Sequence, residues 1–199
     1  MAKLELGAGV ASNFEDLVVK PVRTLAAHTI EVGSVLSGVF GIGTLADKIA
    51  DNYRKFLFGH STLLDMPDRP RFVINATNVL SKSLWRFSKS FMWDWRVGKV
   101  PNPTVDIAVA VAASSAFSPA LSPVELDLKE SDYDPNTGAS LQRPPFTTRV
   151  LLADGRVCDD LGLETAWRRY QTILVSDAGG VDGAEPDPEP DWFNHARRV

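Results

Sequence analysis

The richest chemistry in this chain lies where an apolar, strand-like run ends in a carboxylate. Leu151-Leu152-Ala153-Asp154-Gly155-Arg156-Val157 stops at Asp154 and turns on Gly155, which presents one acid at a strand's C-terminal edge, where open sheets commonly build their sites. An acid in that position suits general-base work. It would take the proton of a hydroxyl whose oxygen attacks an ester carbonyl and later return it to the leaving alkoxide. An aspartate of ordinary pKa, near ~4, is a weak base at neutral pH, so the role requires partial desolvation or a very short contact with the hydroxyl. The same spacing also makes a plain turn, in which Asp154 accepts hydrogen bonds from the backbone around Gly155 and Val157.

The surrounding residues bear a resemblance. Ala153-Asp154-Gly155-Arg156-Val157-Cys158-Asp159-Asp160-Leu161-Gly162-Leu163-Glu164, followed by Leu174-Val175-Ser176-Asp177-Ala178-Gly179-Gly180, resembles the C-terminal half of bacterial patatin-like phospholipases. Asn75-Ala76-Thr77-Asn78 and Ala112-Ala113-Ser114-Ser115-Ala116-Phe117-Ser118-Pro119 agree with the same family in the same order. The family uses a serine–aspartate dyad without histidine, its aspartate in Asp-Gly-Gly or Asp-Gly-Ala. The resemblance therefore gives Asp154 the role of proton acceptor within the motif Asp154, Gly155, Arg156, where Arg156 departs from the family pattern. The implied fold is α/β: part of a three-layer sandwich whose mainly parallel or mixed central sheet is flanked by helices. The implied substrate is a phospholipid or other acyl-lipid ester, with no cofactor.

The family's nucleophile stands in Gly-x-Ser-x-Gly on a tight strand-to-helix turn, preceded by a glycine-rich oxyanion loop. This sequence contains neither. Gly59-His60-Ser61-Thr62-Leu63 is the nearest approach, but it lacks the second glycine and follows a helical pattern, so it reads as a helix C-cap and loop. The resemblance runs from about Gly9 to Val199 and starts just after the place of the nucleophile helix. The expectation is a single incomplete domain over 1–199, an internal fragment of a longer hydrolase. Within it, 10–60 is helical, 70–180 contains the sheet, 181–191 is an acidic proline-rich tail, and 191–199 opens a truncated helix.

Composition sets the outer bounds. With 199 residues, 44% hydrophobic and 23% charged, the chain has ordinary globular composition and length for one sizeable core. A net charge of −4 offers no basic footprint for nucleic acid. One cysteine excludes an internal disulfide, and Met1-Ala2-Lys3-Leu4-Glu5-Leu6 lacks a signal-peptide core, so a reducing cytoplasm is expected. No apolar run reaches the ~18 residues that span a bilayer, which leaves peripheral membrane contact. His28, His60 and His195 lie far apart and show no metal-ligand spacing.

The elements that would position Asp154 follow from periodicity. Ser12-Asn13-Phe14-Glu15 has the form of a capping box before an apolar stripe, and Thr44-Leu45-Ala46-Asp47 starts a second helix that Gly59 stops. Arg71 to Thr77 and Leu84 to Ser88 read as strands joined by a hairpin. Thr104 caps a helix through Val105, Ala108, Val109, Ala112 and Ala116. Thr148 to Ala153 and Thr172 to Ser176 read as core strands joined by a helix from about Leu161 to Tyr170, a βαβ spacing that predicts a parallel pair. Asp160 is the expected helix cap, and Cys158 reads as a small buried hydrophobe. The run Trp85, Phe87, Phe91, Trp93 and Trp95, interleaved with Arg86, Lys89, Arg96 and Lys99, reads first as a hairpin with one aromatic face in the core. Its other reading is a surface that meets lipid headgroups.

Two functions compete. One is a lipid acyl hydrolase represented by the segment carrying its aspartate, inactive alone and completed by an N-terminal half or an oligomer. The other is a non-catalytic lipid- or protein-binding module derived from that fold.

Overall fold

The computed structural model describes residues 4–7, 10–27, 45–116, 123–167 and 169–177. The acidic tail at 181–191, the helix expected at 191–199, His28 and His195 lie outside the described residues.

The described residues form eight strands and three α-helices. A two-stranded ribbon, β1 (Leu6–Gly7) and β2 (Val10–Ala11), precedes a helix that starts at Phe14 and continues as α1 (Lys20–Ala27). Helix α2 (Leu45–Tyr53) runs on through a π turn at Arg54–Phe58 and ends at Gly59. Gly59 has φ 57° and donates its N–H to Arg54 O; side chain-bearing residues rarely adopt that positive φ. Strands β3 (Val73–Asn78), β4 (Ser83–Ser88), β5 (Phe91–Asp94) and β6 (Gly98–Pro101) follow as a meander. Then come α3 (Ile107–Ser114), β7 (Val124–Asp127) and β8 (Arg149–Asp154).

The main sheet has six strands in the order β6-β5-β4-β3-β8-β7, and every pair is antiparallel. This overturns the expected three-layer sandwich with a parallel or mixed sheet. The parallel pair fails for a specific reason: β8 is already flanked by β3 and β7, so neither of its edges is open to a further strand. Residues 172–177 run without strand pairing, and the described residues among 161–170 form turns and bends in place of the expected helix. Leu174, placed in a core strand by its apolar neighbours, is 96% exposed.

Directly opposed residues in an antiparallel ladder share a face. One face carries Ala76, Trp85, Phe87, Met92, Val100, Leu126, Val150 and Leu152, all in the buried core. Helices α2 and α3 close that core with Ala46, Ile49, Ala50, Ile107, Ala110 and Ala113. Alanine dominates α3, which lets its backbone come close to the sheet, and Asp106 rather than Thr104 is its N-cap residue. The opposite face carries a polar and aromatic row in which Asn75 opposes Arg86, Arg86 opposes Trp93, and Trp93 opposes Lys99. The turns at 159–167 fold back onto this row: Thr165 Oγ1 donates to Asn75 Oδ1 at 3.2 Å and Glu164 pairs with Arg86 at 2.8 Å.

Candidate functional site

Asp154 is the last residue of β8 and stands opposite Ala76 of β3, which puts its side chain on the helix-bearing face. Its N–H donates to Ala116 O just beyond α3, and its carbonyl accepts from Thr77 Oγ1 at 2.8 Å. The carboxylate Oδ1 accepts the Arg156 N–H at 2.9 Å; Oδ2 accepts no hydrogen bond among the described residues. The side chain is thus fixed through one oxygen at the rim of the core, and the residue is 9% exposed.

Gly155 makes that placement possible. A Cβ there would lie 2.7 Å from Asn75 O, inside any real carbon–oxygen contact, so only glycine lets the turn after β8 press against β3. Arg156 turns away into solvent and pairs with Asp160, Nε to Oδ1 at 2.6 Å. The Asp160 hydrogen bond, aided by its charge, holds the Arg156 guanidinium above its ordinary pKa. The structure therefore brings Asp154 and Gly155 to one spot and leaves Arg156 outside it.

The helix that Asp160 is expected to cap is not formed, and it is Asp159 that holds the turns there. Asp159 Oδ1 accepts the Leu163 N–H at 2.9 Å, and Oδ2 accepts the Glu164 N–H at 2.8 Å. Cys158, expected to be buried, is exposed. Ser61 lies in the loop after Gly59, and its carbonyl receives the Ile107 N–H, consistent with a helix end and not with a strand-to-helix elbow. Among the described residues no group of three His, Cys, Asp or Glu side chains could hold a metal ion.

A second acid, not marked by any strong sequence motif, is buried at the end of β5. Asp94, the last residue of β5, is 0% exposed and accepts from five donors: Asn78 Nδ2, Ser81 Oγ, Ser83 Oγ, Arg96 N and Val97 N. Its contacts with two serine hydroxyls mimic a serine–aspartate pair. Ser81 and Ser83 are themselves buried, at 0% and 6% exposure, however, so no ester carbonyl reaches them, and the cluster instead ties the β3–β4 turn to the β5–β6 turn. The spacing Asn-x-x-Ser-x-Ser before an aspartate is a faint signal of this lock. Nearby, the Tyr133 hydroxyl is buried without a hydrogen-bond partner among the described residues. Burial raises its pKa most, and the Asp94 charge adds to the effect.

The aromatic run divides between the two faces. Trp85 and Phe87 are 0% exposed on the core face, as the hairpin reading expected. Phe91 and Trp93 are half-buried on the other face, where their rings meet edge-on with centroids 6.5 Å apart. Trp95 is exposed. Arg86 lies over the Trp93 ring, 5.2 Å from its centroid.

Comparison of the chain with protein-family models, with curated proteins and with solved structures gave no match. Among the described residues no helix is long and apolar enough to cross a membrane.

Proposed function

We propose that this chain supplies the proton-accepting aspartate of a patatin-like lipid acyl hydrolase, cleaving carboxylic esters of phospholipids or related lipids. The observation that carries the reading is the Asp154 carboxylate at the C-terminal end of β8, oriented by the Arg156 amide through Oδ1, with Oδ2 directed to no acceptor-seeking group among the described residues. A base needs that arrangement: one oxygen anchored, the other available for the hydroxyl proton. Gly155 supports it by fixing the turn against Asn75. The hydroxyl would come from a Gly-x-Ser-x-Gly segment that this sequence does not contain, on a complementing N-terminal half. In this reading the enzyme works in a reducing cytoplasm and meets lipid from the membrane surface.

The test begins with the chain alone on p-nitrophenyl acyl esters, where no turnover is expected. The reading frame upstream at the native locus, in the same or a shifted frame, is then sequenced for Gly-x-Ser-x-Gly and its product is added or fused. Turnover is expected to appear and to fall by about 10²–10⁴-fold with Asp154→Asn. Turnover that survives this substitution removes Asp154 from the chemistry. An upstream frame without the nucleophile motif refutes the hydrolase and leaves the binding module.

A further inference from the structure

On the sheet face opposite Asp154 lies a cavity of about 670 Å³ lined by Arg86, Trp93, Trp95, Glu164, Trp167 and Arg169. Three tryptophans on the wall of one cleft is an unusual concentration, since the whole chain has five. Arg86 forms the floor. Its side chain is 6% exposed, and its guanidinium is held from three sides: stacked on Trp93, bonded through Nη2 to Glu164 Oε1 at 2.8 Å, and through Nε to Thr165 Oγ1 at 3.3 Å. A guanidinium has five N–H bonds, and those beyond these two reach no acceptor among the described residues. The lining charge is two arginines against one glutamate, so the cleft is left cationic, and its sole carboxylate is 54% exposed and sits on the rim.

The geometry points to a binding site for an amphiphilic organic anion, whose carboxylate or phosphate head docks on Arg86 while its apolar body lies against Trp93, Trp95 and Trp167. Arginine pairs with such heads through parallel N–H bonds, and tryptophan offers a large apolar surface at low entropic cost. Glu164 occupies one of the donors the head would use, so it acts as a built-in competitor and an entering anion displaces it. The site stands on the face of the sheet away from Asp154 and does not depend on the hydrolytic reading.

Decanoate and decyl phosphate, each below its micellar concentration, are titrated into the protein by calorimetry and tryptophan emission, with decanol and inorganic phosphate as controls. Both amphiphiles are expected to bind and to perturb the emission; neither control should do so at the same concentrations. Glu164→Gln is expected to tighten binding by at least about threefold, and Arg169→Gln to weaken it by a similar factor. Arg86→Gln should weaken it by about tenfold or more. The glutamate and Arg169 variants alter exposed side chains, so they report on the site even where the Arg86 variant fails to fold. Decanol binding as tightly as decanoate, phosphate binding as tightly as decyl phosphate, or Glu164→Gln leaving affinity unchanged overturns the proposal.

Discussion

Removing the Asp94 carboxylate would leave Asn78, Ser81, Ser83 and two backbone amides without their acceptor in the interior. Each stranded buried donor costs about 1–3 kcal/mol, and partial rearrangement recovers some of it. Asp94→Ala should therefore lower the unfolding free energy by about 3 kcal/mol or more, read from urea denaturation. Asp94→Asn keeps one acceptor oxygen and should cost less. Tyr133 gives the opposite sign. Its hydroxyl is buried with no partner among the described residues, so Tyr133→Phe should be neutral or stabilising by up to about 1 kcal/mol. The same residue has a pH signature. Its folded pKa is raised, chiefly by burial, whereas in the unfolded chain it titrates near ~10. Below that pH both states are protonated and Tyr133 adds no slope. Above it the unfolded chain loses the proton first, so stability falls as pH rises toward the folded pKa. Denaturation curves between pH 8 and 11 should diverge, with wild type losing more stability than Tyr133→Phe; parallel curves would refute this.

At the level of elements, the turn after β8 depends on a single atom's absence. Gly155→Ala would force a Cβ to within 2.7 Å of Asn75 O, and backbone cannot yield as a side-chain tip can. A loss of about 1–3 kcal/mol is expected, measurable by thermal or urea unfolding; an unchanged midpoint would show that β3 and the turn are not held as tightly as described. The sequence made β3, β4, β8, the helix ending at Gly59 and most of α3 legible, because each carries several periods of its pattern or a clear stop. Strands β5, β6 and β7 have four residues each, too few for alternation to stand out from the aromatic run and the prolines around them. The missed antiparallel order has a similar origin. Ile173-Leu174-Val175 has the composition of a buried strand, but composition does not say whether a sheet edge is open to receive it. At the site, Asp154 and Gly155 could be read from the sequence because their roles are local. The Arg86 cleft could not, because Trp93, Glu164 and Trp167 meet only when the segment after β8 folds back across the sheet.

Taken whole, the molecule is unevenly covered. The helix-bearing face is closed by a continuous core, whereas the described residues between 157 and 177 hold much apolar surface in solvent: Val157 is 68% exposed, Trp167 66%, Tyr170 61% and Leu174 96%. Burial of one such side chain stabilises by about 1.5–3 kcal/mol, and a net charge of only −4 gives weak repulsion between copies. Apolar surface gathered along one segment drives association rather than remaining wet. Sedimentation velocity should therefore show concentration-dependent self-association of the chain. Leu174→Glu, which changes a residue that supports no part of the core, should weaken that association by about tenfold or more, the equivalent of one lost apolar contact at about 1.4 kcal/mol per decade. Its unfolding midpoint should stay where it was. A chain that remains monomeric across the accessible concentrations would mean that this segment finds cover within its own molecule, and association indifferent to Leu174→Glu would place the sticky surface elsewhere, at the β7 edge of the sheet.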